Sequence, residues 1–234
     1  MDINGSIALV TGANRGLGKS FVDALLDQGA AKVYAATRTL SQGATGPQDP
    51  RVIPVKLDVT SDDDVAAAAR ICSDVTLVIN NAGIGLPGGL LKPEASDAAH
   101  VQFDTNVFGI VRMTQAFAPL LAKNGGGAFL NVLSVASWIN SGAMTAYAVS
   151  KAAAWSLTNG LRNELRQQGT QVLGLHVGFV ETDLTRGLDV VKVSPQSVAN
   201  AAFDALEAGA SEVLTDERAR TVKRGLTAEP PIYL

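Results

Sequence analysis

A chain of 234 residues, 47% hydrophobic and 18% charged, carries too much apolar matter to stay disordered and enough to fill a sizeable core. A net charge of −3 offers no broad basic surface, so nucleic acid is not an expected partner. The one cysteine, Cys72, excludes an internal disulfide and fits a reducing compartment.

The N-terminal "MDINGSIALVTGAN" lacks the basic start of a secretory leader. No apolar run reaches the roughly 18 residues of a membrane span, so a soluble, cytoplasmic protein without a membrane partner is expected. The first strand is read at Ile7–Thr11; it enters the turn "TGANRGLG" and then a helix over Leu17–Gln28. A second strand, Lys32–Thr37, is followed by "LSQGATGPQDPR" (Leu40–Arg51), which resists helix formation. A crossover helix between the second and third strands is therefore expected to be reduced or missing. Next come a strand at Val52–Lys56, a helix at Asp62–Ser73 with Cys72 as a buried thiol, and a strand at Thr76–Asn80. A long helix, Asp97–Ala122, precedes the strand Ala128–Ser134. The helix Ala146–Gln168, the strand Gln171–Val177, the helix Pro195–Ala208 and the strand Glu212–Thr215 complete the alternation. The tail holds Arg218, Arg220, Lys223 and Arg224 in a solvated helix that ends in an extended "EPPIYL". Short β-branched runs without polar alternation are strands buried on both faces, hence a parallel sheet. The pattern predicts an α/β, doubly wound sheet of about seven strands with helices on both faces. With no repeat and no linker, residues 1–234 are expected to form one domain.

The strand ends carry the chemistry. In "TGANRGLG" the candidates are Gly12, Asn14, Arg15, Gly16, Leu17 and Gly18. Glycines let a backbone turn sharply toward a pyrophosphate, and the following helix points free N–H groups at the anion. The spacing differs from G-x-G-x-x-G, and no Gly-Lys-Ser/Thr follows, so the loop is not a Walker A loop. At the end of the second strand, where NAD binders place an acid on the ribose, this chain has Thr37 and Arg38. A guanidinium binds a 2′-phosphate that a carboxylate would repel. Arg38 and Arg15 therefore favour NADP(H) over NAD(H). Asp58, before Val59, can accept from an adenine amino group and can equally cap the helix near Ser61, neither role excluding the other. "NNAG" (Asn80, Asn81, Ala82, Gly83) ties strand ends and leaves room for a flat ribose.

These motifs resemble the short-chain dehydrogenase/reductase family in its compact, single-domain branch. The resemblance rests on TGxxxGxG at Thr11–Gly18, NNAG, Ser134 thirteen residues before Tyr147, and YxxxK at Tyr147–Lys151. It implies a Rossmann-like fold and carbonyl or alcohol chemistry, with Tyr147 as acid–base group and Lys151 lowering its pKa and holding the ribose. Four residues is about one helical turn, so the ammonium shares a face with the phenol. Ser134 would polarise the substrate oxygen, with Ser137 its competitor, and Asn106 would order a water beside Lys151. Gly178, Val180 and Thr182 match the family's nicotinamide-contacting segment, where Val177 replaces its usual proline. Ile84, Leu86, Trp138, Ile139, Met144, Phe179, Leu184 and Leu188 are candidate pocket walls, and Arg186 is the one candidate anion grip. His100 and His176 fit no metal spacing and are read as structural. The expected activity is hydride transfer between NADP(H) and a small uncharged ketone or secondary alcohol. An NADP(H)-binding sensor without turnover is the alternative. The family habit of pairing its two long helices implies a homodimer or homotetramer.

Overall fold

The computed structural model describes residues 1–40, 49–93 and 95–234. Most of the stretch expected to replace a crossover helix, residues 41–48, lies outside them. Seven strands, β1 (Ile7–Thr11), β2 (Lys32–Thr37), β3 (Val52–Lys56), β4 (Leu77–Asn80), β5 (Gly127–Val132), β6 (Thr170–His176) and β7 (Glu212–Leu214), form one sheet in the order β3-β2-β1-β4-β5-β6-β7. All six pairings are parallel. The strand order reverses between β1 and β4, which opens a crevice at their carboxyl ends.

Alternate strand residues feed two cores, as a two-residue period requires. Val10, Ile79, Leu130 and Leu173 meet Phe21 and Leu25 of α1 (Gly16–Asp27) and Phe203 and Leu206 of α6 (Pro195–Glu207). On the opposite face Leu9, Val78, Phe129 and Val172 pack on α2 (Asp62–Ile71), α4 (Gly109–Lys123) and α5 (Thr145–Glu164). The tail forms α7 (Glu217–Gly225), whose Asp216 side chain caps it by accepting from the Ala219 N–H at 2.8 Å.

One element departs from expectation. The helix read as continuous over Asp97–Ala122 is α3 (Ala95–Phe103), then a π-helical turn at Asp104–Phe108, then α4. The wider ring of a π turn breaks the regular helical ladder, and Asn106 sits inside it. Cys72 is fully buried beyond the end of α2, and burial pushes its thiol up to about 12, which makes it inert.

Candidate active site

The glycine loop is built for close approach. Gly12 has φ +67°, a region that side-chain-bearing residues avoid. A Cβ on Gly18 would collide with the Gly12 carbonyl and lie 2.6 Å from Nδ2 of Asn81. The loop is tied to β4 from below. Thr11 Oγ1 donates to Ile79 O at 3.1 Å and accepts from the N–H groups of Asn81 and Ala82, each at 3.0 Å, while Asn81 Nδ2 donates to Thr11 O at 2.8 Å. α1 then begins at Gly16 with no side-chain cap and no acid in its first turn. Its orphan N–H groups and positive dipole end are therefore unspent, which suits a pyrophosphate. Asn14 is exposed on the loop and Leu17 is buried beneath it.

The other candidates distribute unevenly. Thr37, at the tip of β2, donates to Thr39 O at 3.0 Å, and Arg38 next to it is exposed. Arg15 is committed elsewhere: its guanidinium pairs with Asp183 at 2.9 Å, across the crevice. Asp58 does not cap α2. Ser61 does, accepting from the Asp64 N–H at 3.2 Å, while Asp58 Oδ1 accepts from Thr60 N and Oγ1. Val59 is buried against Gly109. Asn80 faces the sheet, donating to Asn131 Oδ1 at 2.8 Å, and Asn131 donates to Thr158 Oγ1 at 3.0 Å. Both asparagines thus tie strand ends, Asn80 joining β4 to β5 and Asn81 joining β4 to β1.

Tyr147, Lys151 and Asn106 converge around Gly83–Gly85, and Ser134 lies beside the Tyr147 phenol. A Cβ on Gly83 would lie 3.2 Å from Asn106 Oδ1 and 3.6 Å from Lys151 Nζ; one on Gly85 would lie 3.3 Å from Tyr147 Cδ2. Asn106 clamps Ile84 at both ends, accepting from its N–H and donating to its carbonyl, each at 2.9 Å, and donates to Ser150 Oγ at 2.9 Å. Three of its four hydrogen-bonding positions are thereby used, two on this loop and one on α5. Ser134 Oγ accepts from the Ala136 N–H at 3.1 Å. With that lone pair occupied, its own proton is available to a second oxygen. Ser137, the competitor, donates to Lys151 O at 3.0 Å and is spent on α5.

The electrostatics correct one expectation. Burial raises the Tyr147 phenol, and the Ser134 hydroxyl beside it pulls the other way. Lys151 is buried too, and burial brings its ammonium down to about 8. Its Nζ donates to Val132 O at 2.8 Å and lies 5.9 Å from the centre of the Tyr147 ring. The lysine, directed at a carbonyl, therefore does not by itself make the phenol acidic, and burial prevails. A phenol held protonated is the form that donates to a carbonyl oxygen.

The segment after β6 closes over the glycine loop. Thr182 Cγ2 lies 3.3 Å from where a Cβ on Gly16 would stand. Gly178 N–H donates to Asp216 at 2.7 Å, and Val180 is buried, its carbonyl accepting from Thr185. Glu181 N–H donates to Val193 O at 3.0 Å and Val193 N–H to Phe179 O at 2.9 Å, which pins the base of the excursion between them. Among the expected walls, Met144 Cε and Leu184 Cδ1 reach the space beside Gly85 at 2.9 and 3.3 Å, next to Tyr147, and Ile84 borders it. Leu188 is exposed on the excursion, and Phe179 lies under Arg218, 5.1 Å from its guanidinium carbon. Trp138 is drawn away from the wall: His176, Trp155 and Lys223 engage its ring in the packing beneath α7. Arg186 is paired with Asp183 and is no free anion grip. Among the described residues there is no cluster of three potential metal ligands, and no helix is long and apolar enough to cross a membrane.

Known proteins share this architecture. A family model described as short chain dehydrogenase matches residues 6–190. The 3-oxoacyl-(acyl-carrier-protein) reductase FabG of Vibrio cholerae is 30% identical over 196 residues, covering 81% of this chain and 79% of that protein. A short chain dehydrogenase from Burkholderia cenocepacia, solved in complex with NADP, superposes with a TM-score of 0.91 at 39% identity, covering 98% of this chain and 96% of that one. One from Burkholderia phymatum in complex with NAD gives 0.83 at 25% identity, with coverage of 96% and 94%. Sheet order and sequence match together mark the class as Rossmann-fold oxidoreductases. The chain belongs to the short-chain dehydrogenase/reductase family.

Proposed function

We propose that the chain, as one catalytic domain, reduces a small uncharged ketone with NADPH, and runs the reverse oxidation of a secondary alcohol. The observation that carries this reading is the convergence of Tyr147 and Lys151 on Gly83–Gly85, with Ser134 against the phenol, beside an uncapped helix start and a glycine loop that a Cβ would block. When bound, the dinucleotide supplies the hydride. Gly12, Gly16 and Gly18 would admit its pyrophosphate, Gly178, Val180 and Thr182 its nicotinamide end, and Lys151 its ribose. Ser134 donates to the substrate oxygen as charge grows there. Tyr147 gives that oxygen its proton. Asn106 holds the loop that forms the floor.

NADP(H) is favoured by Thr37 and Arg38 where an acid would mark NAD(H), and by the NADP held by the 39% identical relative. Met144 and Leu184 beside Tyr147, with Arg186 neutralised, favour an uncharged substrate. A second copy of the chain is the expected partner. It would dock on the exposed face where Val101 of α3 and Phe108 of the π turn are each 53% exposed.

The test mixes protein, NADPH and a panel of ketones and follows the nicotinamide absorbance. Turnover is expected; tight NADPH binding without oxidation of any ketone would favour a sensor instead. Tyr147→Phe is expected to cut turnover by at least about 100-fold with NADPH affinity unchanged. Arg38→Asp is expected to shift preference toward NADH by about tenfold. An unchanged preference rejects the role given to Arg38.

A further inference from the structure

Behind Ser134 lies a polar cluster that the reaction above does not use. His176, the last residue of β6, is fully buried, and its Nδ1 lies 3.3 Å from the carbonyl oxygen of Ser134. The ring stacks on Trp138 with centroids 3.9 Å apart and planes 16° from parallel. On its far side Nε2 lies 3.4 Å from Oε1 of Glu212 on β7, within ion-pair distance but out of hydrogen-bond alignment. Glu212 accepts from Lys223 of α7 at 2.8 and 3.0 Å; its carboxyl is held down to about 2 by His176 and by Lys223. The Lys223 ammonium sits over Trp138 at 4.7 Å and Trp155 at 5.9 Å.

A carbonyl oxygen only accepts, so the contact with Ser134 requires a proton on Nδ1. That oxygen also accepts from the Ser137 N–H at 2.9 Å, so both of its lone pairs are directed. Burying an imidazole with its Nε2 left without a hydrogen-bond partner is costly where an apolar side chain of similar size would carry no such penalty. We propose that His176 is a positioning residue for Ser134: its Nδ1–H fixes the Ser134 backbone, and the stack on Trp138, whose ring Lys223 also engages, fixes the imidazole. The last helix thereby helps aim the hydroxyl that meets the substrate oxygen. The functional half of this inference rests on the role given above to Ser134; the hydrogen bond does not.

The chain has two histidines, and the other, His100, is exposed, so nitrogen-15 NMR of the intact protein reads His176 without ambiguity. A proton on Nδ1 is expected; a proton on Nε2 alone overturns the proposal. His176→Asn places an amide N–H near the Nδ1 position, and His176→Leu does not. The leucine variant is expected to lose about tenfold in kcat, as a displaced catalytic group would, with KM for NADPH unchanged, and the asparagine variant to recover most of it. Equal losses in both variants, tracking their melting temperatures, would mean packing alone and overturn it. The carbon-13 shift of the Ser134 carbonyl is expected to move in the leucine variant and return in the asparagine one. This arm needs no turnover, so a wild type that reduces no ketone sinks the reductase reading while the carbonyl shift still decides the positioning. A resonance that stays put in the leucine variant overturns it. Should that variant fail to fold, Lys223→Met, at the outer end of the stack, is expected to move the same resonance, and no movement there overturns it.

Discussion

Lys151 shows what the site costs the fold. Its folded pKa, about 8 against an ordinary 10.5, is depressed, so the folded chain binds this proton more weakly than the unfolded chain. The penalty is fully present below about pH 8, shrinks as pH rises, and vanishes above the unfolded value. A shift of this size corresponds to about 3 kcal/mol, and the lost hydrogen bond to Val132 returns about 1, leaving a net effect near 2. Lys151→Met is therefore expected to raise stability by about 2 kcal/mol at pH 7 in urea titrations, to lose that advantage near pH 10.5, and to abolish turnover. A methionine variant less stable than wild type at pH 7 would reject the account. The same residue explains why spacing misleads about charge. Tyr147 and Lys151 are four apart, which places both on one face of α5, but the Val132 carbonyl that draws the ammonium away is nineteen positions upstream. No local pattern records it.

The π turn at Asp104–Phe108 holds the loop after β4 through a single side chain. Asn106 makes three hydrogen bonds, two to Ile84 and one to Ser150. At about 1 kcal/mol each, Asn106→Ala is expected to lower the unfolding free energy by about 3 kcal/mol and to free the Gly83–Gly85 floor. A loss below about 1 kcal/mol in denaturant titration would show that the loop is held otherwise. The strands were legible because buried parallel strands write themselves as short β-branched runs; each observed strand falls within two residues of its expected ends. The π turn was not, since its apolar spacing continues that of the flanking helices and an i→i+5 bond leaves no compositional trace. The site divides in the same way. Gly18, Ser134, Tyr147 and Lys151 stand in short motifs with fixed local offsets. Asn81, Ser150, Asn131 and His176 act through partners 27 to 70 residues away, and only the folded sheet brings them together.

The outer surface of α3, the π turn and α4 frames an open groove of about 850 Å³ lined by His100, Val101, Phe103 and Phe108. Its charges are already satisfied, because Arg112 pairs with Asp62 at 2.9 Å and Asp104 at 2.8 Å. What remains is apolar area, Val101 and Phe108 above all. An uncompensated apolar face on a helix pair is stabilised by covering it, and a second copy covers both faces through one self-complementary contact. Phe108→Asp would place a charge at the centre of such a contact while leaving Asn106 and the two cores untouched. The expected result in sedimentation is a dimer or tetramer for wild type and a monomer for the variant, with unchanged circular dichroism. Since Phe108 and Asn106 share one π turn, separation is also expected to lower kcat by about threefold through the Ile84 loop while leaving NADPH affinity alone. A wild type that stays monomeric at every concentration rejects the pairing, and a monomeric variant with full kcat rejects the coupling alone.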